Sequence, residues 1–111
     1  MDQLSLYRDY IMSVIKKHNR QSLPGLEVEI QNIFDTKNDH YQLVHTGWHN
    51  KQRQYGCIIH VDIKNKKIWI QHDGTEIGIA NELSELGIPK EDIILAYHPP
   101  YKRQYTGFGT G

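Results

Sequence analysis

Two apolar runs of period two flank a polar dipeptide. Tyr55, Cys57, Ile59, Val61 and Ile63 alternate with other residues up to Lys64, and Ile68 and Ile70 alternate after Lys67. Period two places alternate side chains on opposite faces of a pleated strand. With Asn65-Lys66 as a two-residue turn, Ile63 faces Ile68, Val61 faces Ile70 and Ile59 faces His72. That register leaves Ile58, His60, Asp62, Trp69, Gln71 and Asp73 on the second face. One face is apolar and the other mixed, so the chain is constrained to an antiparallel sheet with one covered side. Lys66 fits the turn less well than Gly, which leaves a three-residue loop as the alternative.

The cover has an obvious source. Leu4, Tyr7, Ile11, Val14 and Ile15 recur at spacings of three and four, which predicts an amphipathic helix from Asp2 to Asn19. Asp2 suits its start, Lys16, Lys17 and Arg20 its end, and Pro24-Gly25 stops it. Leu26, Val28 and Ile30 open a first strand, with a bulge expected near Asn32 because Ile33 and Phe34 are adjacent. His40 to Trp48 forms a second strand between turns at residues 36–39 and 49–51. Asp73-Gly74-Thr75-Glu76 opens a short helix through Leu86, ended by Gly87. Ile93-Ile94-Leu95-Ala96 reads as a short strand or a buried connector, and His98 to Gly111 as an extended, aromatic-studded tail. The expected fold class is α+β, in one domain spanning residues 1–111: an N-terminal helix, a four-stranded antiparallel meander, a short helix and the tail.

Charge narrows the function. Lys plus Arg and Asp plus Glu number 13 each, so the field that carries an autonomous duplex-DNA binder is absent. Lys64, Lys66 and Lys67 at the hairpin, with Lys102 and Arg103 in the tail, allow weak nucleic-acid contact at most, diluted by Asp62, Glu82 and Glu85. One cysteine, Cys57, excludes an internal disulfide; its strand parity predicts a buried, inert thiol. The polar start Met1-Asp2-Gln3 and the lack of a long apolar run predict a cytoplasmic protein without membrane contact.

Chemistry-bearing residues are thin. His60 and Asp62, two apart on a strand, share a face with Asp73 in this register. A metal would need further ligands, and only Glu76 or His98 could fold back to give them, so a hydrogen-bonded polar face is expected with no metal or cofactor. His40, His45, His49 and His72 read as scattered polar histidines. No nucleophile–base motif and no phosphate-binding loop is present, and no catalytic residue is assigned. The tail differs. Tyr97, Tyr101, Tyr105 and Phe108, with Pro99 and Pro100, make a low-entropy aromatic segment suited to an interface, with Trp69 beneath in need of cover from the same chain or a second copy.

Several stretches carry a resemblance. They are Asp39-His40-Tyr41-Gln42-Leu43 with Gly47-Trp48, Tyr55-Gly56-Cys57, His60-Val61-Asp62-Ile63, and the block from Ile68 through Trp69 and Asp73 to Glu76 with Gly78-Ile79-Ala80. Further on come Gly87-Ile88-Pro89-Lys90-Glu91-Asp92-Ile93, His98-Pro99-Pro100-Tyr101 and Tyr105-Thr106-Gly107-Phe108. Together they resemble the XisI family, the fdxN-element excision controlling factors of cyanobacteria, over essentially the whole chain. One departure is Lys66, where the family often has Gly. The resemblance implies a non-enzymatic accessory protein that helps a site-specific recombinase excise a DNA element during heterocyst differentiation. It also implies an XisH-like protein partner from a family with a nuclease-like fold, and it carries over no catalytic residue. Self-association into a homo-oligomer, such as a homodimer, is expected with the aromatic tail as interface. The competing readings are an antitoxin-like inhibitor of a nuclease-like XisH partner and a small enzyme or metal site on the His60–Asp62 face.

Overall fold

The computed structural model describes residues 2–19 and 27–111. Arg20, the Pro24-Gly25 stop and the opening Leu26 of the first strand lie outside the described residues. Helix α1 spans Gln3–Asn19 and buries Tyr7, Ile11, Val14 and Ile15, the face its spacing defines. Asp2 caps it, its Oδ1 accepting the Ser5 N–H at 2.7 Å. Burial of four such side chains contributes about 1.5–3 kcal/mol each before entropy is subtracted.

Strands β1 (Glu27–Asp35), β2 (His40–His49), β3 (Gln52–Lys64) and β4 (Lys67–Asp73) form the antiparallel meander. The expected four-stranded sheet is corrected to five strands. Residues Ile93–Leu95 form β5, parallel to β4, in the order β1-β2-β3-β4-β5. A parallel partner needs a crossover, and helix α2 (Ile79–Glu85) with one 3₁₀ turn at Lys90–Asp92 supplies it. The tail is also more regular than expected: Pro100–Arg103 form a one-turn helix, α3, with Pro100 at its start, where a missing N–H costs nothing.

Both two-residue hairpin turns sit in left-handed backbone: Asn50 and Lys51 at φ 49° and 66°, Asn65 and Lys66 at 53° and 64°. These are type I′ turns, so Lys66 bears the strain that Gly would avoid, and the three-residue alternative does not form. Ile63 faces Ile68 and Val61 faces Ile70 as the sequence implies. The expected pairing of Ile59 with His72 is corrected. A register shift after Val61 leaves Gln71 as the extra residue, so His60 faces His72 and Ile59 faces Asp73.

A second bulge lies between β2 and β3. Leu43 faces Ile59 but Val44 faces Cys57, so Ile58 is the extra residue. It inverts parity along the first half of β3. Ile58 packs against the core, and Cys57 is exposed rather than buried. The Cys57 Sγ still donates to the Ile59 carbonyl at 3.1 Å, and desolvation of the sulfur pushes the thiol up. The bulge expected near Asn32 is absent. The β1–β2 register runs unbroken, with Phe34 against the core and Ile33 on the open face.

The inner face follows from these registers. Phe34, Tyr41, Val61, Ile70 and Leu95 form one rung across all five strands, and α1 and α2 cover it. Beside it, Arg8 of α1 pairs with Asp39 (Nε–Oδ1 2.7 Å, Nη2–Oδ2 3.1 Å), and the Tyr41 hydroxyl donates to the same carboxylate at 2.8 Å. These bonds pin the β1–β2 turn to the helix and hold the Asp39 carboxyl below its ordinary range.

Candidate functional site

The outer face carries two features. The first is a His–Asp–His cluster. His60 and Asp62 project from one side of β3, and β2 places His40 directly opposite Asp62. His40 Nδ1 lies 2.8 Å and His60 Nε2 2.9 Å from the same oxygen, Asp62 Oδ1. The hydrogen bond to Asp62 favours the imidazolium of His40 and raises its pKa. His40 is the residue that sequence reasoning missed. The Asn50-Lys51 turn alone would set it opposite Val61; the Ile58 bulge moves it opposite Asp62. Neither Glu76 nor His98 joins the cluster.

Asp73 leaves this face, a correction that follows from the Gln71 bulge. It lies opposite the fully buried Ile59 and organises the approach to α2. Its Oδ1 accepts from the Thr75 N–H at 2.9 Å and the Thr75 hydroxyl at 2.6 Å, and its Oδ2 accepts the Ile79 N–H at 2.7 Å. The capping role expected of this block is therefore filled by Asp73. His45 turns to the other side, its Nε2 so close to Gly56 that a Cβ there would sit 3.0 Å away.

The second feature is the C-terminal segment. After β5 it folds back: the Gly109 N–H donates to the Lys90 and Ile93 carbonyls at 2.9 and 2.8 Å, with no room for a side chain beside the Glu91 carbonyl. Arg103 donates to the His98 carbonyl at 3.0 Å, and its guanidinium lies 5.6 Å from the Trp69 ring centre. Lys64 lies over the same ring at 5.0 Å. Trp69 thus receives cover from its own chain, and Phe108 packs against the core. The proposed aromatic set divides here. Trp69 and Phe108 are used internally, while Tyr97, Tyr101 and Tyr105 are 49%, 69% and 81% exposed. Tyr101 and Tyr105, with Leu95, His98, Lys102 and Thr106, line a cavity of about 590 Å³.

Sequence reasoning also passed over a smaller cluster at the β2–β3 hairpin. Trp48 and Arg53 are cross-strand partners, and the Arg53 guanidinium stands 5.5 Å from the Trp48 ring and 5.9 Å from that of Tyr55. The pairing follows from the Asn50-Lys51 turn alone, since the register runs unbroken from that turn to Val44 and Cys57.

A helix pair covering one face of a mixed five-stranded sheet, with a C-terminal segment wrapped onto the other, defines an α+β protein with exposed tyrosines on that segment. The sequence model of the family described as XisI protein matches residues 1–110, and the chain belongs to the XisI family. It is similar to two crystal structures from Anabaena variabilis. One, a XisI-like protein, shares 39% identity at a TM-score of 0.92, covering 98% of this chain and 100% of that one. The other, the fdxN element excision controlling factor XisI, shares 37% identity at a TM-score of 0.87, covering 99% and 100%. No curated protein matches the chain. Among the described residues no helix is long and apolar enough to cross a membrane.

Proposed function

We propose that this protein is a non-catalytic controlling factor of DNA-element excision that acts by protein–protein contact through its C-terminal tyrosine surface. The observation that carries the reading is the 37% identity to the excision controlling factor of Anabaena variabilis across nearly the full length of both chains. The tyrosines supply the physical means. Tyr combines large apolar area with a hydroxyl and loses little rotamer freedom when it docks, so it is enriched at interface centres. A net charge of zero offers no long-range attraction to duplex DNA, which favours reaching the recombination machinery through a protein. The partner we infer is an XisH-like protein, with a second copy of this chain as the competing occupant.

The test is an excision assay in cells that carry the recombinase, an XisH-like protein and a reporter interrupted by the element. Adding this chain is expected to raise the excised product, and Tyr101→Ala is expected to reduce that gain at least ~10-fold. Excision that proceeds equally without the chain would contradict the reading.

A further inference from the structure

We propose that His40, His60 and Asp62 form a binding site for one divalent transition-metal ion of the zinc type. The three donor atoms, His40 Nδ1, His60 Nε2 and Asp62 Oδ1, all lie within 4.8 Å of one another. In a tetrahedral zinc site with bonds of about 2.0–2.1 Å, neighbouring donors stand about 3.4 Å apart. The two imidazole-to-carboxylate distances, 2.8 and 2.9 Å, need to open by only about 0.5 Å to admit the ion. Side-chain rotation supplies that, since the histidine side chains are 57% and 31% exposed.

The backbone beneath is fixed. Asp62 pairs with His40 on one side and with Trp69 on the other, so its position is held by two ladders. Its carboxylate is 17% exposed, which lowers the screening of its charge, while the exposed His40 leaves a path from solvent. Asp35, the cross-strand partner of His40 on β1, adds negative charge beside the site. Two imidazoles and one carboxylate suit zinc, nickel or copper; the hard ions magnesium and calcium require more oxygens. An ion held this way would tie β2 to β3 at the level of the Trp69 rung, on the opposite side of the sheet from the helices. This site is separate from the tyrosine surface, so its fate does not depend on the function proposed above.

The experiment is titration of chelator-treated, untagged full-length protein with zinc chloride, followed by calorimetry, with cobalt(II) absorption as a second readout. One ion per chain is expected, with a dissociation constant of ~10 μM or tighter. His40→Gln and Asp62→Asn should each weaken binding at least ~10-fold and remove the visible cobalt bands. His49→Gln, a histidine at the far end of β2, should leave both unchanged. Both site substitutions fall on the open sheet face, so circular dichroism should show native secondary structure in each. Failure of the wild-type protein to saturate with zinc, or equal affinity in wild type, His40→Gln and Asp62→Asn, would overturn the proposal.

Discussion

The Glu82 carboxylate of α2 receives the His18 imidazole of α1 at 2.6 Å, with the two side chains 8% and 10% exposed. Lys17 reaches the other oxygen of the carboxylate at 3.2 Å from solvent. This is the polar clasp between the two helices that cover the sheet. A buried carboxylate is tolerable only with such partners, and deleting it leaves His18 unpaired in the interior.

Glu82→Ala should therefore lower stability by about 2 kcal/mol, and Glu82→Gln, which keeps one hydrogen bond, by less. In thermal unfolding that corresponds to a fall of about 8–12 °C for the alanine variant. A double-mutant cycle with His18→Ala checks the assignment; additive losses would show that the pair is not coupled.

The alkaline limb of stability should depend on Tyr7. Its hydroxyl donates to Asp92 Oδ2 at 2.5 Å and accepts from Gln3 Nε2 at 2.6 Å. Burial first, and the Asp92 carboxylate second, push its pKa up to about 12. The unfolded chain ionises near pH 10 while the folded chain keeps the proton, so the stability present below pH 10 is lost as pH rises through about 12. The loss from this residue is about 3 kcal/mol. Tyr7→Phe should flatten that part of the profile between pH 10 and 12, and denaturant melts at stepped pH would measure it. An unchanged slope would rule out Tyr7 as the source.

Helix α1, the hairpin about Asn65-Lys66 and the turn at residues 36–39 were legible because each follows from short-range periodicity or turn chemistry. The buried set Tyr7, Ile11, Val14 and Ile15 matches the predicted helical stripe, apart from Leu4 at its first turn. What escaped sequence reasoning traces to two single-residue bulges. The Ile58 bulge exposed Cys57 and brought His40 to Asp62; the Gln71 bulge carried Asp73 from the outer face to the helix side. A bulge reverses every side chain beyond it, yet it leaves little trace in an alternating pattern whose next residues toward the turn are Cys57, Gly56 and Tyr55, which suit either face. β5 escaped for a different reason. Three apolar residues bear no period, and only packing beside β4 decides between strand and connector.

The tail was legible in composition but not in shape. Its aromatics pointed to burial or to an interface, and the structure divides them by position. Phe108 packs inward because Gly109 bonds the segment to Lys90 and Ile93, while α3 turns Tyr101 outward. Tyr101 and Tyr105 keep most of their surface in solvent and stand outside the buried core, so each should be removable without loss of fold.

That separation gives the most direct measurement of the central claim. Sedimentation velocity with an XisH-like partner should show a complex with the wild-type chain, and Tyr101→Ala or Tyr105→Ala should weaken it at least ~30-fold, the ~2 kcal/mol typical of an aromatic anchor. Thermal melts of both variants should stay within about 2 °C of wild type, as expected for exposed side chains. Association unchanged in both variants would contradict the account, as would lowered melting temperatures with no loss of binding.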